Sequence, residues 1–312
     1  MSRVLTLTLN PALDLSIRLT ALSPGRVNRS EESSLTAAGK GNNVARVLAG
    51  HGHQVAVGGF LGRDNQATFE RAFLEWGVED RFIRVAGDTR VNVKLSEAGG
   101  RVTDINGPGA VVDEAAMTQL LQDIEARADS IEAVVISGSL PPGVAPEWLS
   151  VLIEQLRARD LPVWLDSSGE ALVQGAGALP ALIKPNEHEL AECVGRPLAD
   201  EAAYLEAARE LQQDGIDNVL LSLGADGVVW LFEGGALRAR PPRVEIVSTV
   251  CAGDTLLAGT LHGVLEGWSR EKTLRFATAL SADAVRRIGV GRSDIEDFTA
   301  LCDAVCVEAM TT

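Results

Sequence analysis

The sequence predicts an α/β fold: a central, mainly parallel sheet flanked by helices on both faces, with a small β-sheet lid. Three observations carry this. Short β-branched or leucine-rich runs alternate with segments of helical spacing along most of the 312 residues, the pattern of a parallel sheet covered on both sides. Two stretches, roughly 12–38 and 82–106, break that order with polar–apolar alternation and many turn residues, so they read as a separate accessory sheet. Hydrophobic residues make up 46% of the chain, ample for a sizeable core, and no internal repeat divides it. Residues 1–312 therefore read as one domain.

The core strands are read, in order, at "RVLTLTL", "QVAVGGFLG", "AVVISG", "LPVWLD", "ALIKPN", "NVLLSLG" and "GVVWLF". The start, "MSRVLTLTLNPALD", passes straight into turn residues and has no small-residue cleavage site; it reads as a first strand, not a signal peptide. Between strands, Val44, Val47 and Leu48 recur at helical spacing, as do Phe69, Phe73 and Trp76. "EWLSVLIEQLRARD" and "DEAAYLEAARELQQDG" read the same way. In the second accessory stretch "EAGGR" reads as a hairpin turn. An accessory sheet lying over a site can exclude water from it, as a lid does.

Charge narrows the function. The formal net charge is −15, which argues against a bare nucleic-acid or anionic-membrane binder. No apolar run approaches the ~20 residues of a membrane span. Of 28 lysines and arginines only four are lysines: Lys40, Lys94, Lys184 and Lys272. The first three fall inside motifs described next and mark places that need a compact ammonium. Cys193, Cys251, Cys302 and Cys306 make no CxxC pair. Cys302 and Cys306 are read as i,i+4 on a helix without a nearby histidine, so zinc is not expected. Free thiols in a reducing cytoplasm fit this usage. His51 and His53 are read as loop residues after a helix, not as metal ligands.

Six short motifs carry chemistry. In "AAGKGNNVARVL", Gly39 and Gly41 flank Lys40 and a helix begins near Asn42; helix-start amides plus one ammonium make an anion site, without Walker A spacing. In "TRVNVK", Arg90, Asn92 and Lys94 alternate and so share one strand face, an arrangement suited to a sugar phosphate or simply to solvent. In "NPALD", Asp14 is either a turn acid or an acceptor for vicinal hydroxyls. In "IKPNEHEL", Asn186 and Glu189 either cap a helix or position water around Mg²⁺, and the two roles are compatible. "SLGADG", Ser222 to Gly227, is a turn between strands whose glycines let a nucleotide approach the backbone. Finally, in "STVCAGDT", Cys251, Ala252 and Gly253 offer successive amides before a helix. Asp254 then stands in the first helical turn, where it either steadies the helix or accepts a proton; the helix terminus should hold it ionised.

Taken in order, "GKGNNVA", "TRVNVK", "GSLPPG", "KPNEHEL", "SLGADG" and "AGD" resemble the ribokinase-like, phosphofructokinase B-type carbohydrate kinases over about residues 3–300. "LTLNPALD", "AAGKGNNVARVL", "GGFLG" and "DSSGEAL" lean toward the members acting on fructose 1-phosphate, with the tagatose-6-phosphate kinases nearby. The resemblance implies a ribokinase-like fold, ATP and Mg²⁺ as cofactors, and a lid that often pairs between subunits of a homodimer. It implies Asp254 as catalytic base, with an anion hole at Cys251, Ala252 and Gly253. Asp14, Gly39, Lys40, Asn43, Arg90 and Asn92 would hold the sugar phosphate, with Lys94 and Ser139 near it. Lys184, Asn186 and Glu189 would face the triphosphate and its metal. Ser222, Leu223, Gly224, Ala225, Asp226 and Gly227, with Ser248 and Gly253, would border the nucleotide. The expected reaction is phosphorylation of D-fructose 1-phosphate at its 6-hydroxyl. Tagatose 6-phosphate and fructose 6-phosphate are alternative acceptors, and a non-catalytic sensor is the distant alternative.

One departure stands out. The family usually has glycine where this chain has Cys251. If the backbone there is left-handed, cysteine costs about 1–2 kcal/mol of strain. A thiol at a helix start is also expected to have a lowered pKa and to be open to oxidation.

Overall fold

The computed structural model describes residues 3–310. In chain order, the strands are β1 (Arg3–Thr8), β2 (Ala12–Leu19), β3 (Glu32–Ala38), β4 (Gln54–Gly62), β5 (Glu79–Val85), β6 (Arg90–Glu97), β7 (Val102–Ile105) and β8 (Ala133–Ser137). They continue with β9 (Val163–Asp166), β10 (Leu182–Ile183), β11 (Asn218–Ser222), β12 (Val228–Phe232), β13 (Gly235–Arg240) and β14 (Cys306–Met310). The helices are α1 (Lys40–Gly50), α2 (Ala67–Trp76), α3 (Glu114–Glu125), α4 (Pro146–Arg157) and α5 (Gly169–Gly177). After them come α6 (Glu187–Cys193), α7 (Glu201–Gln213), α8 (Ala252–Leu265), α9 (Arg270–Val285) and α10 (Phe298–Ala304).

The main sheet has the order β14-β13-β12-β11-β10-β9-β8-β1-β4-β5. From β5 to β11 every neighbouring pair is parallel; β12, β13 and β14 close the far edge in antiparallel pairs. Strands buried on both faces read as continuous apolar runs, and their alternate residues feed two cores. In β8, Val134 and Ile136 join α3, α4, α5, α6 and α7 on one face. Ala133 and Val135 join α1, α2, α8, α9 and α10 on the other. The helix spacings read in the sequence bury Val44, Val47 and Leu48 on α1 and Phe69 and Phe73 on α2, while Trp76, named with them, is only partly buried against the same core.

A second sheet has the order β3-β2-β6-β7, with β2 and β6 parallel and the two outer pairs antiparallel. The hairpin at "EAGGR" joins β6 to β7. One expected boundary moves. Residues 82–85, expected in the accessory sheet, belong to β5, which pairs in parallel with β4 in the main sheet. Phe82, Ile83 and Val85 supply the apolar side chains that this edge strand needs. At the other end of the chain, Cys302 and Cys306 do not share a helix. α10 stops at Ala304, Val305 is extended, and Cys306 opens β14. No described helix is long and apolar enough to cross a membrane.

The chain leaves β1 toward β4 and β5 on one side, and returns to place β8 and then β9, β10 and β11 on the other. Such a reversal opens a crevice beyond the carboxyl ends of the strands on either side of it. The C-terminal ends of successive parallel strands deliver Asn10 after β1, Ser139 after β8, Asp166 at the end of β9, Lys184 after β10 and Ser222 at the end of β11.

Candidate active site

Two helix starts border this crevice. Gly39 precedes α1 at φ +127°, and a Cβ there would meet Thr8 Cγ2 at 2.7 Å, so only glycine lets the turn press against β1. The helix begins at Lys40, two residues before the expected Asn42. Asn42 turns inward and donates to the Ala38 carbonyl, while Asn43 faces the crevice and donates to Asp254 Oδ2 at 2.7 Å. α8 begins opposite. Its Ala252 amide turns to the Thr249 carbonyl at 3.3 Å, whereas the Gly253 and Asp254 amides lie in the first turn, where a helix offers no acceptor. Of the residues 251–253 named from sequence, Ala252 thus spends its amide on the turn, while Gly253 keeps its amide in the first turn of the helix.

Between these helix starts sits an ionic knot, with Asp166 and Lys184 buried and the Lys40 side chain 43% exposed. Asp166 Oδ1 lies 3.2 Å from Lys184 Nζ and 3.4 Å from Lys40 Nζ, and Asp166 Oδ2 accepts from Ser137 Oγ. Burial works to raise the Asp166 pKa, but Lys184 and Lys40 together hold it below the ordinary carboxylate value. The Lys40 pKa is raised, chiefly by Asp166, against the opposing effect of burial. Lys184 Nζ reaches the "AGD" turn: a Cβ on Gly253 would stand 3.4 Å from it. Asp254 is 3% exposed. Burial first, and then the charge of Asp166, push its pKa up to about 6, against the pull of Lys40, Asn43 and Lys184. The sequence reading placed this acid near its ordinary value through the helix terminus; desolvation outweighs the dipole.

A cavity of about 640 Å³ opens from Asp254. Asp14, Gly39, Lys40, Asn43, Arg90, Asn92, Lys94, Ser139, Ser248 and Cys251 all lie on its wall. β2 and β6 run in register so that Asp14 faces Asn92, whose Nδ2 donates to Asp14 Oδ1 at 3.4 Å. Burial raises the Asp14 pKa, opposed by Lys94. Lys94 Nζ stands 3.7 Å from Asp14 and 3.4 Å from Asp104. Arg90 donates to the carbonyls of Pro11, Gly107 and Asn10 and to Ser139 Oγ. Its guanidinium therefore ties together the loops after β1, β7 and β8 as well as facing the cavity.

Of the residues expected on the nucleotide side, Ser248 lies on that cavity wall, while Asn186, Glu189 and the Ser222–Gly227 turn lie outside it and cluster with one another. Asn186 caps α6: its Oδ1 accepts from the amides of His188 and Glu189, and Glu189 Oε2 accepts from the Asn186 amide, a full capping box. Asn186 bridges in parallel to Ser222, and the Ser222 amide donates to the Pro185 carbonyl. "SLGADG" therefore lies beside "IKPNEHEL". Its two glycines differ. A Cβ on Gly227 would meet the Ala239 carbonyl at 2.0 Å, so this glycine serves hairpin packing, while Gly224 at φ +56° faces open space.

Cys251 has φ −97° and ψ 5°, so the strain expected of cysteine in place of glycine does not arise. Nor is its thiol acidic: burial, followed by Asp254 and Asp14, pushes its pKa up to about 12. Sequence reasoning missed Asp166 as a site residue, although a strand reading "VWLD" and ending at the carboxyl edge of a parallel sheet was its signal. It also missed Arg46 and Arg71, which line the cavity. Arg46 lies one helical turn after Asn43 and stacks over Trp76 at 5.6 Å.

Residues 7–297 match the pfkB family carbohydrate kinases. The chain belongs to that family. Among relatives, it is 48% identical to the 1-phosphofructokinase of Vibrio cholerae, over 99% of this chain and 97% of the relative. It is 44% identical to the 1-phosphofructokinase of Escherichia coli K12, over 96% of each. Among solved structures, phosphofructokinase-2 of Escherichia coli in complex with substrates and products superposes with a TM-score of 0.89 at 29% identity, covering 96% of this chain and 98% of that one. Arabidopsis thaliana ribokinase, at 23% identity and a TM-score of 0.75 over 93% and 95% of the two chains, shows the shared ribokinase-like fold. As a member of the pfkB family this protein is a kinase that uses ATP on a carbohydrate.

Proposed function

We propose that the protein transfers the γ-phosphoryl group of ATP to the 6-hydroxyl of D-fructose 1-phosphate, giving D-fructose 1,6-bisphosphate and ADP. The observation that carries this reading is a buried aspartate, Asp254, with a pKa near 6, at one end of a cavity whose other walls carry cations. Such a base is mostly ionised at neutral pH yet basic enough to take a hydroxyl proton as the phosphoryl group arrives. Phosphoryl transfer otherwise asks mainly for positioning and charge stabilisation. Lys40 and Lys184, held by Asp166, place two ammonium groups beside the reacting centre. The amides of Gly253 and Asp254 receive the migrating charge, with Cys251 and Ala252 shaping the turn that presents them.

Asp14 and Asn92 accept and donate to the sugar hydroxyls, and Gly39 with Asn43 and Ser139 completes the wall. Arg90 and Lys94 hold the ester phosphate, together with Arg46 and Arg71. A bound phosphate at that end sets the distal hydroxyl in line with the donor. On the nucleotide side Lys184 meets the phosphates, and the Ser222–Gly227 turn and Ser248 border the base and ribose. Mg²⁺ fits the donors present: Glu189 keeps one carboxylate oxygen outside the capping box, a hard ligand for a cation that retains its waters. The Asn186 oxygen is committed to two amides, so Glu189 is the better of the two residues expected at the metal. Mg²⁺ supplies charge neutralisation of the triphosphate. The second sheet, with β2 and β6 over the cavity, acts as the lid and as the surface for pairing in a homodimer. A reducing cytoplasm suits the four free thiols.

A coupled assay for ADP release with fructose 1-phosphate, fructose 6-phosphate and tagatose 6-phosphate tests the assignment. Fructose 1-phosphate is expected to give the highest kcat/KM. A higher value for either 6-phosphate would reassign the acceptor, and no ADP with any of them would leave a sensor.

A further inference from the structure

The far end of α8 carries a second group of ligand-type side chains that the kinase reading does not use. His262 and Glu266 are four residues apart on α8 and its C-cap, so they share one face. His53, in the turn between α1 and β4, comes up against them. The ligand atoms of His53, His262 and Glu266 all lie within 4.8 Å of one another, and His53 Nε2 is 2.8 Å from His262 Nδ1. Both histidines are buried and Glu266 is exposed. His53 Nδ1 is buried with no hydrogen-bond partner among the described residues.

We propose that His53, His262 and Glu266 bind one divalent transition-metal ion of the zinc class. Two imidazoles and a carboxylate are a familiar donor set for Zn²⁺, and solvent on the Glu266 side can supply the fourth ligand. Tetrahedral coordination needs the two imidazole nitrogens roughly half an ångström further apart than their present hydrogen bond, a small ring movement. The surroundings favour it. The site sits at a helix C-terminus, where the macrodipole attracts cations.

Glu132 adds negative charge toward His53, while His51 and Lys272 oppose a cation. Lys272, however, is drawn over the Trp268 ring at 3.7 Å, and His51 is engaged with the Val47 carbonyl and Ser293. The expectation that His53 is no metal ligand rested on its loop position. The fold brings to it two residues more than two hundred positions away. An ion here would fasten the turn after α1 to the end of α8, which are the distal ends of the two helices whose first turns border the cavity.

The test uses the full chain, stripped with chelator and returned to buffer containing Mg²⁺. Zn²⁺ is expected to bind at one per chain and to raise Tm by about 5 °C at a hundredfold excess over its Kd. Co²⁺ should give a d–d spectrum of four-coordinate type without thiolate charge-transfer absorption. Glu266→Gln, an exposed change, should weaken Zn²⁺ at least tenfold while leaving the metal-free Tm unchanged, and His262→Asn should abolish binding. Absence of Zn²⁺ binding by the unaltered protein would overturn the proposal. So would thiolate absorption with Co²⁺, or unchanged affinity in Glu266→Gln or in His262→Asn.

Discussion

The floor and the roof of the cavity are built on opposite principles. The floor, Asp254 with Asp166 and Lys184 packed behind it, is buried at the ends of core strands and at the start of α8. Its charges are desolvated and close-coupled, so each sets the behaviour of the others. The roof, Asp14, Arg90, Asn92 and Lys94, stands half-buried on β2 and β6 of the second sheet. There the ions are partly hydrated, and each pair is worth much less. On the proposed function, reactivity belongs to the floor and affinity to the roof, and substitutions in the two regions should separate in kcat and KM.

The largest expected effect is Asp254→Asn, which should lower kcat by about a thousandfold while ATP binding, measured by calorimetry, stays within about threefold. A variant with undiminished turnover would dissolve the distinction at its strongest point. The same change carries a stability signature. The folded pKa of about 6 lies above the ordinary value of 3.8, so the folded protein binds the extra proton and loses stability as pH rises through that window. Removing the charge should then stabilise the protein at pH 8 by on the order of 2 kcal/mol and much less at pH 4, read from denaturant midpoints.

Next in size is Asp166→Asn. It releases Lys40 and Lys184 and should cost about a hundredfold in kcat. Because Asp166 raises the Asp254 pKa, the acid limb of the kcat/KM profile, expected near pH 6 in the unaltered enzyme, should move lower. A limb that stays put would separate the two carboxylates electrostatically. Arg90→Ala should act on the roof alone, raising KM for the sugar phosphate about tenfold or more with kcat changed little. A fall in kcat alone would show that its ties to the Asn10, Pro11 and Gly107 carbonyls matter more than its charge. The smallest effect concerns Cys251. Burial pushes its pKa up to about 12, so the thiol stays protonated at pH 8. Alkylation mapped by peptide mass should therefore find exposed Cys306 labelled well before Cys251.

Much of this was legible in the chain. The parallel core follows from apolar runs alternating with helical spacing, and the cavity residues from short motifs whose backbone needs are local, such as Gly39 before a helix. What was not legible depended on distance in space. Asp166 closes "VWLD" like any strand-ending acid until β9 lines up beside β10 and sets it between two lysines. Residues 82–85 look like the lid strands that follow them, and only pairing with β4 claims them for the core. The acidity of Asp254 and of Cys251 could not be read from their helix position, because both shifts come chiefly from burial, which sequence spacing does not report. His53 was a loop residue until α8 arrived next to it.

Most of α8 is walled in, with Asp254 to Gly263 all buried between the sheet, α1 and α9. An element so enclosed has no room to travel, and the aspartate at its head is fixed with it. On the proposed lid role, admission of reactants and departure of products fall to the peripheral ribbon of β2, β3, β6 and β7. Cooling or viscous media should slow that traffic before they touch the bond-making event.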